Sequence, residues 1–336
     1  TPDAAELQRL LAMHRDGGGV AVCLEASSHA LDQERLAGLS VDVAVFTNLS
    51  VDHLDYHGDL ESYARTKQRL FDSLSAESVA VVNALDPYAS QMERAARERG
   101  ARVVLFGEKG SGLWAESVVM EREGTSFTLC SVDASIDVCT RLIGRFGVEN
   151  ALAAAAAAMA SGMSLVEIRD GLREVSAPTG RMEPVDTADR GFTVLVDFAH
   201  TEAALAGALE TLRPLVAERG RLIVVFGCGG DRDTSKREAM GAAAGEAADL
   251  VFVTSDNPRS EDPMAICRVV AEGALKGEAL VTVEADRRLA IRGAIAIATP
   301  GDVILIAGKG HESSQEIAGE RSPFDDRIVA AEELLS

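Results

Sequence analysis

Long apolar runs, paired cysteines and excess positive charge are all missing from this sequence, and each absence excludes a class of protein. No apolar stretch approaches the roughly 18–20 residues that a membrane-crossing helix needs. The opening TPDAAELQRLLAMHRD has neither an initiator Met nor the basic-then-apolar order of a signal peptide. Cys23, Cys130, Cys139, Cys228 and Cys267 are odd in number and scattered, with no Cys-x-x-Cys among them. That argues against a disulfide frame or a zinc site and for free thiols in a reducing cytoplasm. Lys and Arg number 33 against 53 Asp and Glu, a formal charge of −20. Nucleic acid and anionic membranes reward a basic surface, so neither is expected as a partner. A small anionic substrate stays open, because a local cluster of Lys, Arg and helix N-termini suffices to hold one. G-x-G-x-x-G, G-K-[ST] and any solenoid-type repeat are absent too.

What is present is a long alternation of strands and helices. At about 100–200 residues per domain, 336 residues suggest two domains. Short β-branched runs stand at 20–25, 41–48, 79–83 and 102–107, each followed by a helical segment. A second series stands at 192–198, 221–227, 250–256, 279–285 and 301–308. Continuous apolar strands alternating with helices indicate an α/β protein with mostly parallel sheets covered on both faces. Residues 113–142 alternate more and read as antiparallel strands. The alanine run at 151–160 reads as a buried helix. SAPTGRMEP (176–184) is the best linker, which divides the chain into 1–180 and 181–336.

The chemistry-bearing residues fall just past the strand ends, where open parallel sheets bind ligands. Glu25 with Ser27 follows the first run, and SVDHLDYHGD follows the second. Asp197 with His200, GCGGDRD (227–233), DNPRSED (256–262) and GKGHE (308–312) follow four of the later ones. Each loop has a plain structural explanation. GCGGDRD could be only a tight turn, and the Asp52, His53, Asp55, His57, Asp59 cluster could be a solvated loop as easily as a metal site. Ser260 or Asp262 could simply cap a helix. Lys67, on an amphipathic helix, reads alone as an ordinary solvated lysine. Asp256 and Arg259 also form the minimal pair for an amino acid, a carboxylate for its ammonium and a guanidinium for its carboxylate. Arg232, Lys236, Arg237, Arg259 and Lys309 make a basic cluster on these loops.

Taken together and in order, these strings resemble the Mur ligases, in their diaminopimelate-adding (MurE-type) branch. The match is carried by EASSHALDQERL (25–36), FTNLSVDHLDYHGDLESYARTKQRLF (46–71), GRFGVENALAA (144–154) and GRMEPV (180–185). VDFAHTEAAL (196–205), VVFGCGGDRDTSKREAMG (224–241), TSDNPRSEDP (254–263), AGKGHE (307–312) and PFDDR (323–327) extend it. The resemblance implies a P-loop-ATPase-like central domain and a Rossmann-like C-terminal domain. It implies a cytoplasmic, monomeric ligase that uses ATP and Mg²⁺ to join meso-diaminopimelate to UDP-MurNAc-L-Ala-D-Glu through an acyl phosphate. On the matching positions, Glu25, His53 and Lys67 become Mg²⁺ ligands and catalytic groups, Lys67 as a carbamate. Asn150, Arg181 and Asp197 become ATP contacts. Thr1, Ser27, Gln33 and Arg35 become contacts to the UDP-MurNAc-peptide. Arg232, Asp256, Asn257, Pro258, Arg259, Gly308 and Glu312 become the pocket for the incoming amino acid.

The sequence also departs from that pattern. No G-K-[ST] is found where the family has its phosphate loop, so the expectation is an N-terminally truncated member, inactive alone. Gly147 stands where Asn is usual and Phe198 where Tyr is, while Glu149 and Glu202 add negative charge near the expected ATP. The alternatives are a non-catalytic ligand-binding remnant, another Mur-superfamily ligase such as a folylpolyglutamate synthase-like one, and a metal-dependent hydrolase using His53, Asp55 and His57.

Overall fold

The computed structural model describes residues 1–50 and 54–335, without the side chains of Leu54 and Asp55. The first elements are α1 (Ala4–Asp16), α2 (Ser28–Asp32), β1 (Val43–Phe46), α3 (Leu54–His57), α4 (Leu60–Asp72), β2 (Val79–Asn83), α5 (Ala89–Glu98) and β3 (Arg102–Phe106). Next come β4 (Leu113–Glu121), β5 (Gly124–Ser131), β6 (Ser135–Thr140), α6 (Gly144–Ala160) and α7 (Leu165–Glu174). Then follow β7 (Glu183–Val185), β8 (Thr193–Asp197), α8 (Glu202–Leu212), β9 (Leu222–Phe226), α9 (Lys236–Ala247), β10 (Leu250–Val253) and α10 (Pro263–Ala274). The last are β11 (Leu280–Val283), α11 (Arg287–Ala296), β12 (Val303–Ala307), β13 (Ser314–Ile317), β14 (Glu320–Pro323) and α12 (Asp326–Leu335).

Two compact units result. The first is Thr1–Val118 with Ser126–Cys139 and Phe146–Arg173; the second is Val119–Thr125 with Thr140–Arg145 and Glu174–Ser336. One six-stranded sheet runs β1-β2-β3-β4-β5-β6, with β1, β2 and β3 parallel. The two residues between β4 and β5 permit only an antiparallel pairing there. In the first unit, α4 and α5 close over β1 and β2, burying Phe46, Phe71, Leu74, Val82 and Met92. Helix α4 begins where the Asp59 carboxylate accepts the Ser62 amide at 2.7 Å.

The expected strand at 20–25 does not form. Val20 is fully exposed, Val22 and Leu24 are partly so, and among the described residues no strand pairs with the segment. Alternating branched residues supply strand propensity, but an extended segment becomes a strand only with a hydrogen-bonding neighbour.

In the second unit the order is β11-β10-β9-β12-β8-β7, parallel except for β7 against β8. All five residues of β9 and all five of β12 are buried, as a central strand covered on both faces requires. One apolar layer lies under α8, α9 and α10, the other under α11 and α12. Helices α9 and α10 approach closely through glycine: a Cβ on Gly241 would fall 2.0 Å from the Val270 carbonyl oxygen. Because β8, β9, β10 and β12 run the same way, the loops holding Asp197, GCGGDRD, DNPR and GKGHE emerge from one edge.

Candidate functional site

In the first unit, Thr1, Ser27, Gln33 and Arg35 form one hydrogen-bonded cluster. Thr1 Oγ1 donates to the Glu25 carbonyl at 2.5 Å and accepts from the Ser27 amide at 3.2 Å. Arg35 donates to the Thr1 carbonyl at 2.8 Å and to Gln33 Oε1 at 2.6 Å. Ser27 also caps α2, accepting from Ala30 N at 3.3 Å. The cluster therefore offers hydroxyl, amide and guanidinium groups side by side.

Lys67 is not the solvated lysine its helix suggested. Its Nζ lies 5.1 Å from the centre of the Tyr63 ring. Burial pushes the Lys67 ammonium below the usual lysine range, and the Glu25 and Asp86 carboxylates pull it part of the way back. Asp86 is itself fixed by the Leu49 and Tyr88 amides at 2.8 Å each. His53, with Asp52, lies outside the described residues. His57 stacks on Tyr63 with ring centres 4.8 Å apart and meets Ser28 Oγ at 2.9 Å, and Asp59 is spent on its helix cap. Among the described residues no group of three or more His, Cys, Asp or Glu side chains is arranged to hold a metal ion. Glu25 and a modified Lys67 would nonetheless supply the hard oxygen donors that Mg²⁺ prefers.

The second unit holds a cavity of about 400 Å³ lined by Asn257, Arg259, His311, Glu312, Glu316 and Arg321 among others. Fully buried Lys309 ties its floor together. Its Nζ reaches Glu312 Oε2 at 3.0 Å, Asn257 Oδ1 at 3.3 Å and Asp256 Oδ1 at 3.5 Å. Asn257 Nδ2 adds a 2.8 Å bond to Glu312 Oε2. Burial works to raise Glu312, but the Asn257 and Lys309 bonds outweigh it and hold the carboxyl low. Arg259 donates to the Gly230 carbonyl at 2.6 Å and keeps further donors on its fork. Its backbone has φ 53°, the left-handed region, and is clamped by β13: Arg259 N donates to the Glu316 carbonyl at 3.0 Å. Strain at a candidate ligand-binding arginine is where a fold tends to store it. Gly227 and Gly230 let the GCGGDRD loop press on DNPR, since a Cβ on Gly230 would fall 1.9 Å from the Pro258 carbonyl oxygen. Gly308 turns at φ 112° and donates to the Asp197 carbonyl at 3.1 Å. Asp256, Asn257, Pro258, Arg259, Gly308 and Glu312 are thus brought together, whereas Arg232 stays exposed on its own loop and does not line the cavity.

The expected basic cluster needs correction. Lys309 spends its charge on Asp256 and Glu312, and buried Arg237 pairs with Glu261 at 2.7 Å. Lys236 donates to the His200 carbonyl. Arg259, Arg232 and Lys236 have no carboxylate partner among the described residues, the bonds of Arg259 and Lys236 going to neutral carbonyls.

Asp197 closes β8 with both carboxylate oxygens engaged, by the Met182 and Ala199 amides at 2.8 Å each. Burial raises its pKa, with these two amides opposing the shift. One lone pair per oxygen remains for a hydroxyl donor. Arg181 lies exposed with its guanidinium 4.8 Å over the Phe198 ring, and Phe198 touches His311 with centres 5.0 Å apart. Asn150 belongs to the first unit, exposed on α6.

Sequence reasoning missed β7, the β13–β14 hairpin with Glu316 and Arg321, and the buried pair Arg287–Asp326. The hairpin strands SQEI and ERSP lack an apolar run. Arg287 follows a helix-capping Asp286, which marks a helix start and says nothing of burial.

A model of the Mur ligase middle domain matches residues 1–158, and one of the Mur ligase, glutamate ligase domain matches residues 180–310. The UDP-N-acetylmuramoyl-L-alanyl-D-glutamate--2,6-diaminopimelate ligase of Chromobacterium violaceum is 44% identical over 336 residues, 100% of this chain and 67% of that protein. The enzyme of the same name from Geobacter metallireducens is 45% identical over all of this chain and 69% of its own length. A solved structure of such a ligase superposes with TM-score 0.71 at 39% identity, covering 99% of this chain and 68% of that one. A folylpolyglutamate synthase structure from Thermotoga maritima, 20% identical, shares the fold at TM-score 0.60 over 79% of this chain and 57% of that one. This chain therefore spans about two thirds of the length of the curated relatives it matches.

Proposed function

The chain belongs to the Mur ligase family of ATP-dependent amide-forming ligases, and from that premise we propose that it adds meso-diaminopimelate to UDP-MurNAc-L-Ala-D-Glu during peptidoglycan precursor synthesis. In this reading the protein acts as a monomer in the cytoplasm, with residues 1–180 forming the ATP-binding part and 181–336 the amino-acid part. The reaction joins an amino group to a carboxylate. Phosphorylation by ATP makes the carboxylate an acyl phosphate, the amine forms the new C–N bond, and phosphate leaves as the C–O bond breaks. The observation that carries the reading is the cavity shared by Arg259, Asn257 and Glu312.

Thr1, Ser27, Gln33 and Arg35 hold the UDP-MurNAc-peptide. Arg181 faces phosphate, Asp197 accepts ribose hydroxyls, and Asn150 contacts ATP. Asp256 and Glu312 receive ammonium charge, and Arg259 takes the carboxylate at the far end of diaminopimelate. Lysine has no carboxylate there and would leave that guanidinium unpaired, at roughly 1–3 kcal/mol. Titration calorimetry tests this: meso-diaminopimelate is expected to bind more tightly than L-lysine, with the difference lost in Arg259→Ala. Equal binding of the two ligands by the unaltered chain would sink the assignment.

Glu25, His53 and Lys67 as a carbamate would hold Mg²⁺, which when bound neutralises charge on the transferring phosphoryl group. The lowered lysine supports this, since only the neutral amine attacks CO₂. A carbamate carbon signal in NMR with labelled bicarbonate, lost in Lys67→Ala, is the expected result.

The 336 residues contain no G-K-[ST], so they offer no glycine-rich loop and lysine for the β- and γ-phosphates. For that reason this polypeptide, assayed as it stands, is expected to bind ligands without turning over. Phosphate release at background with all three substrates would agree; robust tripeptide formation would overturn it.

A further inference from the structure

The two loops that build the amino-acid cavity leave strands that are not neighbours. DNPR follows β10 and GKGHE follows β12, and β9 lies between them. At 4.7–4.9 Å per strand spacing, those strand ends stand about 9–10 Å apart, and no ladder hydrogen bond can join them. Strand β9 sets the strand spacing and Lys309 and Asn257 bond across the loops from above, but the two main chains at the strand ends need a tie of their own.

Arg287, the first residue of α11, spans that gap from beneath. It is 1% exposed, and Asp326 of α12 is fully buried against it. Nε and Nη2 donate to the two Asp326 oxygens at 2.7 Å each, a bidentate pair that neutralises the guanidinium. Two further N–H groups go to main chain: Nη1 to the Ser255 carbonyl at 3.2 Å, Nη2 to the Ala307 carbonyl at 2.9 Å. Ser255 immediately precedes Asp256, and Ala307 immediately precedes Gly308. A buried ion pair is weak evidence for stability, because apolar residues of similar volume often serve as well. Its donors point at the main-chain carbonyls just before the two loops, which apolar residues could not hold.

We propose that Arg287, neutralised by Asp326, is a positioning residue that sets the spacing of the DNPR and GKGHE loops and so the geometry of the amino-acid pocket. The proposal rests on the reading of that cavity as the amino-acid site. The test is the double variant Arg287→Met/Asp326→Leu in the full chain, chosen because apolar replacement of a buried pair usually folds. Amide exchange of residues 254–260 and 308–312 is expected to rise about tenfold or more, the change that loss of one charge-assisted hydrogen bond gives. Exchange in β9 and β12 should stay slow. Calorimetric affinity for meso-diaminopimelate should fall by a similar factor. Unchanged exchange in both loops overturns the proposal, whatever the affinity does. Arg287→Lys, which keeps the charge but not the fork, is the second variant and is expected to loosen the same two segments. If the unaltered chain fails to bind diaminopimelate, the pocket reading falls, while the exchange experiment still decides what Arg287 does.

Discussion

At the scale of single residues, the cavity floor is set by one buried ammonium among acidic neighbours. Lys309 must give its charge to carboxylates, because an unpaired buried ammonium would cost several kcal/mol. Glu312 is the nearer partner at 3.0 Å and keeps 38% of its side chain exposed, so water screens the pair. Glu312→Gln is therefore expected to cost about 1 kcal/mol at neutral pH, the net worth of an ordinary hydrogen bond. The pH dependence follows from the direction of the shift. The Glu312 carboxyl is held low in the folded protein, so its contribution is complete above the usual glutamate range. It disappears as pH falls through the lowered folded value. Urea denaturation of both proteins should show a gap at pH 7 that closes in acid; a gap independent of pH would mean that the carboxylate charge contributes nothing.

At the scale of elements, what could be read from the sequence was whatever burial writes into it. β2, β9 and β12 are buried along their whole length and appear as unbroken apolar runs, which fixes their number and order of use. Asp262 announced α10, with Pro263 at its first position and the Met264 amide on its carboxylate. Pairing is a different matter, because propensity is local and a ladder is not. VAVCLE at 20–25 has the composition of a strand and, among the described residues, no strand beside it. Conversely, β13 and β14 have little strand character but pair from Ser314↔Pro323 to Ile317↔Glu320, and the hairpin clamps Arg259 through its backbone. The candidate site was legible where a loop carried unusual side chains, as at DNPR. Lys309 and Arg237 misled for the same reason: type and position suggested a basic surface, and only packing showed their charge already spent.

At the scale of the molecule, each unit carries an apolar core of its own. The first is built from residues of β1, β2, α4 and α5. The second is built in two layers on the sheet around β9 and β12. Units with separate cores are able to unfold separately, so a single midpoint need not describe the chain. The cavity lined by Asn257, Arg259 and Glu312 lies wholly within residues of the second unit. A ligand that binds only folded protein stabilises what it binds, by about 2.7 kcal/mol at a hundred times its Kd. Scanning calorimetry is thus expected to resolve two transitions, and meso-diaminopimelate to move one of them upward while leaving the other in place. Limited proteolysis identifies which: the ligand should protect fragments from residue 174 onward and not those before 118. A uniform shift of both transitions would mean that the amino acid is held by both units, and the cavity at DNPR would then be only part of its site.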